Sequence, residues 1–139
     1  MNETTQHATP PLDDFTHGYV ECALWLADED SGPEEWTPHD QYTVDNIDQE
    51  TLATMVRECQ AFQAAHAETL DEADWFINVG HPLYNRRLAG QDFYLTRNRH
   101  GAGYGDRGLK DVGDTLTDAA HRWGEYPLYL GDDGRLYGR

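Results

Sequence analysis

The stretch DFYLTRNRHGAGYGDRG (92–108) decides how the second half of this 139-residue chain folds. Its first part, DFYLTRN (92–98), is an alternating segment rich in aromatic and branched residues, which is typical of a β-strand. The part that follows, RHGAGYGDRG (99–108), is dense in glycine and predicts a turn. We therefore predict a β-hairpin here, with a second short strand near residues 102–104.

Two amphipathic helices are predicted on the N-terminal side of this stretch. In LDDFTHGYVECALWLA (12–27) and DQETLATMVRECQAFQAAHAETL (48–70), apolar side chains recur at helical spacing. Asp48 is a suitable N-cap for the second helix. The acidic segment between them, DEDSGPEEWTPHDQYTVDNI (28–47), is long enough to suggest a functional connection.

On the C-terminal side, the sequence predicts one more helix and a second hairpin. KDVGDTLTDAAHRW (110–123) has helical periodicity, and Gly124 is placed to end it. YPLYL (126–130) and RLYG (135–138) flank GDDG (131–134), which is a strong pattern for a hairpin turn.

These segments together predict a single α+β domain over residues 12–139, after a disordered tail at 1–11. About three helices would pack on a small antiparallel sheet built from two hairpins. Cys22 and Cys59 fall on apolar helical positions, so we expect buried, reduced thiols. The sequence has no apolar run near the ~18 residues of a membrane span and no signal-peptide pattern, so we expect a soluble, intracellular protein.

The charge of the chain is divided unevenly along its length. Residues 1–75 contain 18 of the 26 acidic residues and a single basic residue, Arg57, whereas the rest of the chain is nearly balanced. An excess of negative charge disfavours direct binding to nucleic acid or to an anionic membrane. Adaptation to high salt is a competing explanation, but it would spread the acids over both halves.

The acidic half is predicted to form a face for a basic partner. Duplex DNA has one charge per about 1.7 Å of its axis, so the net charge of −17 in residues 1–75 corresponds to about 29 Å of duplex. That length is close to the width of a small domain, so the face could mimic DNA. The candidate contacts are Asp28, Glu29, Asp30, Glu34, Glu35, Asp40, Asp45, Asp48, Glu50, Glu58, Glu68, Asp71, Glu72 and Asp74. A solvated acidic surface without a specific partner is the alternative.

The glycine-rich stretch suggests a second kind of site. Its basic and acidic side chains could hold a phosphate or carboxylate, and they are Arg97, Arg99, His100, Asp106 and Arg107. The same side chains could instead pair with the acidic half, within the chain or across a homodimer. GYGDRG (103–108) formally matches a dinucleotide fingerprint, but its predicted hairpin context favours a structural role for the glycines.

Enzymatic and metal chemistry have little support in the sequence. The seven histidines are scattered without metal-ligand spacing, and the single serine, Ser31, lies in an acidic segment. We therefore expect no catalytic residues, no metal and no cofactor. An acid–base pair of His100 and Asp106 remains as an alternative.

The block DFYLTRNRHGAGYGDRG (92–108), the later LYLGDDGRLYG (128–138) and the earlier FTHGYVECALW (15–25) resemble a family of small, mostly uncharacterised phage and prophage proteins. This resemblance implies a phage origin and a role in the cytoplasm of an infected bacterium. In addition, GPEEWTPHDQY (32–42) is similar to a segment of ArdA-type antirestriction proteins, which are DNA mimics.

Our leading hypothesis is a phage accessory protein that inhibits a host DNA-handling or defence complex, of restriction or CRISPR type, through a DNA-mimicking acidic face. Its partner would be a basic host protein or nucleoprotein complex. One alternative is a protein or enzyme that binds a small molecule or phosphate through the glycine-rich stretch. Another is a plain protein-interaction module.

Overall fold

Helices supply most of the core, and a two-stranded antiparallel sheet lies at the C-terminal end of the chain. The computed structural model describes residues 12–31, 42–80 and 85–139, and it describes no side chains at 28–31 or 74–80. The predicted tail at 1–11 and most of the acidic connection, residues 32–41, lie outside the described residues.

The first two helices begin where the sequence places them. Helix α1 spans Asp14–Ser31, beyond its predicted end at residue 27. The Asp13 carboxylate caps it by accepting a hydrogen bond from the Thr16 backbone N–H at 2.9 Å. Helix α2 spans Gln49–Ala65, and Asp48 is its N-cap, as predicted.

The single helix predicted over 48–70 is two helices in the structure. The backbone leaves the helical conformation at His66, with φ −127° and ψ 29°, and helix α3 then spans Ala67–Gly80. The His66 ring lies against Phe62, with centroids 4.8 Å apart, so the bend between the helices stays packed on the core.

The strand prediction for residues 92–98 is wrong, because residues 92–97 belong to helix α4, which spans Arg86–Arg97. The prediction assumed a half-buried strand, with polar and apolar side chains on opposite faces. In the structure the polar side chains of Asp92, Thr96 and Arg97 are buried as well. Helix α4 packs against α1, α3 and α5, and Arg87 is its only exposed residue, so its polar residues do not mark a solvent face.

The predicted hairpin at 92–108 is therefore absent from the described residues. A 3-10 turn at Tyr104–Asp106 replaces the strand expected near 102–104, and helix α5 follows at Asp111–Trp123. Gly124, with φ 79°, ends α5 as expected.

The C-terminal hairpin is confirmed. Strand β1 spans Leu128–Leu130 and strand β2 spans Leu136–Gly138, in antiparallel register with Leu130 opposite Leu136. The α+β class therefore agrees with the structure, but the described residues form five helices and one hairpin rather than three helices and two hairpins.

Aromatic rings fill the centre of the protein. Phe62 of α2 stacks on Phe93 of α4 with centroids 4.1 Å apart, and Tyr19 of α1 lies 5.4 Å from the same Phe93 ring. All three rings are fully buried. Contacts between such rings add to the hydrophobic stabilisation that burial itself provides, so this cluster holds three helices together.

Two glycines let α1 and α4 cross with their backbones in contact. A Cβ atom on Gly18 would lie 1.9 Å from the Arg87 carbonyl oxygen, and one on Gly90 would lie 1.8 Å from the Phe15 carbonyl oxygen. Backbone atoms cannot rotate away as a flexible side chain can. Any larger residue at either position must therefore push the two helices apart.

Gly90→Ala tests this crossing. Although alanine is the better helix former by about 1 kcal/mol, we expect the variant to lose about 3 kcal/mol or more of unfolding free energy through overpacking. Urea denaturation monitored by circular dichroism gives this value. Gly105→Ala is the control, because the nearest atom to its added Cβ is 4.0 Å away. Equal stability of the two variants would contradict the close crossing.

Candidate functional site

The glycine-rich stretch is held against α4 by side-chain hydrogen bonds. The Thr96 hydroxyl accepts from the Tyr104 backbone N–H at 3.2 Å, and the Asp106 carboxylate accepts from the Gly103 N–H at 3.0 Å. A Cβ on Gly103, whose φ is 140°, would meet the Thr96 Oγ1 at 2.1 Å. The stretch therefore has a defined shape, and glycine at 103 is part of it.

Arg97, a candidate for the anion site, is buried in the core instead. Its Nη1 donates to the Glu58 carboxylate at 2.7 Å and to the Tyr19 hydroxyl at 3.1 Å. Its Nε donates to the Gly124 carbonyl at 2.8 Å, at the end of α5. The guanidinium also lies 5.2 Å from the centroid of the Phe93 ring. Arg97 therefore joins α1, α2, α4 and the end of α5.

Arg107 is also engaged within the protein. It donates two hydrogen bonds to the fully buried Asp92 carboxylate, at 2.9 Å from Nε and 2.7 Å from Nη2. The two parallel hydrogen bonds from one guanidinium compensate the negative charge that is buried at Asp92 on α4. The pair fixes the end of the glycine-rich stretch to the middle of the helix.

The other three candidates of the anion site do not share one location. His100 is exposed and stacks on Tyr94, with centroids 6.3 Å apart. Arg99 and Asp106 are exposed, and both line a pocket of about 270 Å³ between the glycine-rich stretch and α5. The pocket is completed by side chains that the sequence did not single out, above all Thr117 and His121 of α5.

Arginines of the second half neutralise part of the acidic half. Among the described residues, the ion pairs between the two halves are Asp71 with Arg86 at 2.5 Å, Glu58 with Arg97 at 2.7 Å, and Glu21 with Arg87. The Arg87 guanidinium lowers the pKa of Glu21 by donating hydrogen bonds to its carboxylate. These contacts support internal pairing for part of the charge.

The acidic candidates therefore fall into several groups. Asp45, Glu50, Glu68, Asp71 and Glu72 are exposed, whereas Asp48 and Glu58 are half-buried, Asp48 as an N-cap and Glu58 in its ion pair. Asp28, Glu29 and Asp30 lie on the last turns of α1 and Asp74 on α3, with side chains outside the description. Glu34, Glu35 and Asp40 lie outside the described residues.

Exposed acids also occur in the half that the sequence shows as balanced. They are Asp106, Asp111, Asp114, Asp118, Glu125, Asp132 and Asp133. Four of the eight arginines that balance them in the count form ion pairs with carboxylates of the same chain. The acidic surface is consequently wider than the first half alone.

Neither cysteine is suited to nucleophilic catalysis. Both thiols are free and buried, as expected from their helical positions. Cys22 lines an open groove of about 480 Å³ between α1 and α4, but burial raises the pKa of its thiol to about 12. Burial also raises the pKa of Cys59. Thiolate is therefore scarce near neutral pH.

Metal and membrane sites are not found in the part of the chain that the structure describes. No group of three or more His, Cys, Asp or Glu side chains there is arranged to hold a metal ion. No helix among these residues is both long and apolar enough to cross a lipid bilayer.

Comparison with known proteins finds no match to a protein family, to a curated protein or to a solved structure.

Arg97→Ala tests the buried arginine as a structural residue. We expect the variant to lose about 3 kcal/mol or more of unfolding free energy, because the Glu58 carboxylate and the backbone carbonyls of Trp123 and Gly124 lose their donor. Arg97→Lys should also be destabilising, since a single ammonium cannot reproduce the fork that reaches these acceptors.

The control for Arg97 is Arg57→Ala, which changes an exposed arginine that donates only to the Thr54 hydroxyl among the described residues. Urea denaturation should place it within about 0.5 kcal/mol of the unaltered protein. A stable Arg97→Ala variant would show that the guanidinium is available for another role.

Proposed function

We propose that this protein is an inhibitor that binds a basic DNA-handling or defence complex through its acidic surface and competes there with DNA. The partner is a basic host protein or nucleoprotein complex. The observation that carries this proposal is the exposure of four carboxylates, at Asp45, Glu50, Glu68 and Glu72, in a segment with little basic charge. Between residues 42 and 73 the only lysine or arginine is Arg57.

Internal pairing makes the proposal more specific. Asp71 and Glu58 already have arginine partners, so they contribute less to an outward negative field. Glu50, Glu68 and Glu72 have no ion-pair partner among the described residues, and their side chains are exposed. These carboxylates remain solvated in the free protein and are available to an approaching basic groove.

Electrostatic steering explains how such a surface would act. A high density of like charge accelerates encounter with an oppositely charged groove and makes the association sensitive to salt. Each exposed pair adds only about 0.2–1 kcal/mol, so the affinity would depend on many carboxylates acting together. A DNA-binding groove is matched to this, since it already accommodates a regular series of negative charges.

The sequence resemblance to small phage proteins and the ArdA-like segment at 32–42 motivate this choice of partner. Under the proposal, the partner belongs to the systems by which bacteria recognise or cut foreign DNA. The proposal also gives the protein a site of action, the cytoplasm of an infected bacterium.

The combined substitution Glu50→Gln, Glu68→Gln and Glu72→Gln tests the acidic surface. We expect its affinity for a DNA-binding partner captured from bacterial lysate to fall about tenfold, which is the effect of three weak pairs. The complex of the unaltered protein should weaken steeply between low and moderate salt and dissociate when duplex DNA is added. Surface plasmon resonance measures all three effects.

The matched control removes three charges elsewhere, with Asp118→Asn, Glu125→Gln and Asp132→Asn. Equal losses in the two variants would assign binding to overall charge rather than to the surface of α2 and α3. A complex that resists both salt and DNA would refute mimicry and indicate a plain interaction module.

A further inference from the structure

The pocket between the glycine-rich stretch and α5 is lined by polar side chains from both elements. It has a volume of about 270 Å³, and its lining includes Thr96, Arg99, Asp106, Thr117 and His121. Thr117 and His121 are four residues apart on α5, so they lie on the same face of that helix. The pocket is open beside Gly105, where an added Cβ would lie 4.0 Å from the Thr117 hydroxyl oxygen.

Three hydrogen-bond donors in this lining lack a side-chain partner. The Thr117 Oγ1 is buried and has no hydrogen-bond partner among the described residues. Arg99 and His121 form no ion pair or side-chain hydrogen bond there either. Among the other arginines of this half, Arg86, Arg87, Arg97 and Arg107 have carboxylate partners, whereas Arg122, Arg135 and Arg139 form no ion pair with a described carboxylate. A buried hydroxyl without a partner is uncommon in proteins, so this donor is available to a ligand or a water molecule in the pocket.

The backbone around Arg99 has an unusual conformation that brings the side chain to the pocket. Arg99 has a φ of 59°, a value that few residues other than glycine, asparagine and aspartate adopt. Gly101, with φ 85°, continues the tight path of the chain. This positive φ belongs to the turn that ends α4, in which the His100 N–H donates to the Leu95 carbonyl at 3.0 Å and the Arg99 N–H donates to the Thr96 carbonyl at 3.1 Å.

We infer that this pocket binds the phosphate group of a small ligand, held by Arg99, Thr117 and His121. A guanidinium, a hydroxyl and an imidazole are suitable donors to phosphate oxygens. Asp106 adds selectivity, because a protonated phosphate oxygen can donate to its carboxylate. The volume lies just below the range of pockets for drug-sized ligands, so only a small body fits beside the phosphate. This inference is independent of the acidic surface.

The probes are inorganic phosphate, glycerol phosphate, sulfate and ATP, titrated into the full chain and followed by NMR. Phosphate and glycerol phosphate should bind saturably and shift the signals of Gly101, Gly105 and the His121 ring. Sulfate should bind at least about tenfold more weakly, since it has no proton for Asp106 near neutral pH. ATP should bind no more tightly than inorganic phosphate, because its body exceeds the pocket.

Arg99→Asn and Thr117→Val test the residues. Asparagine tolerates a positive φ, so Arg99→Asn removes the charge without adding backbone strain, and the fold should be as stable as before. We expect about a tenfold or greater loss of phosphate affinity in this variant and a smaller loss in Thr117→Val. Arg57→Asn, which changes an arginine outside the pocket, should leave phosphate affinity unchanged.

Three results would overturn the inference. They are phosphate binding without saturation, unchanged affinity in a folded Arg99→Asn variant, and sulfate binding equal to that of phosphate. Preference for glycerol phosphate over inorganic phosphate would identify a phosphate monoester as the ligand, and equal affinity would identify free phosphate.

Discussion

The backbones of α1 and α4 meet at Gly18 and Gly90, and the positions of most other elements depend on that contact. Each glycine lies against a carbonyl of the opposite helix, at Arg87 and Phe15. Because no side chain separates the two axes at these points, Tyr19 and Phe93 can approach within 5.4 Å. A core of large aromatic rings is thus compatible with closely packed helices.

Once α4 is buried on several sides, its polar residues need partners, and those partners determine the second half of the fold. Asp92 forms an ion pair with Arg107, and Arg97 forms one with Glu58. The Thr96 hydroxyl accepts a hydrogen bond from the Tyr104 backbone N–H. Burying such groups without partners would cost free energy. The glycine-rich stretch and α2 are therefore held to α4 by hydrogen bonds and ion pairs as well as by packing. The Tyr94 hydroxyl adds a link to the hairpin by accepting from the Leu128 N–H at 3.1 Å.

This arrangement explains which elements could be predicted from the sequence. Helix α5 and the C-terminal hairpin have a solvent face or a specific turn, so periodicity and GDDG at 131–134 identify them correctly. Helix α4 has neither a wide solvent face nor a specific turn. Polar residues usually indicate a solvent-exposed face, but Asp92 and Arg97 are buried. The pocket residues Thr117 and His121 had no motif, since only the fold brings α5 against the glycine-rich stretch. The sequence shows that Thr117 and His121 are four residues apart on one helix face, but it does not show that this face lies against the glycine-rich stretch.

Charge shows the same dependence on the fold. The net charge of the first 75 residues suggested one acidic face, yet internal pairs with Arg86, Arg87 and Arg97 reduce it, and exposed acids of α5 extend the negative surface. Arg99 shares its lack of a carboxylate partner with Arg122, Arg135 and Arg139 among the described residues, and it differs from them in lining a pocket. Asp114 and Asp118 lie beside Thr117 on α5, so their charge opposes an anion in the pocket. The short-range donors at Arg99, Thr117 and His121 have to outweigh that repulsion for one small domain to carry both an acidic surface and a phosphate site.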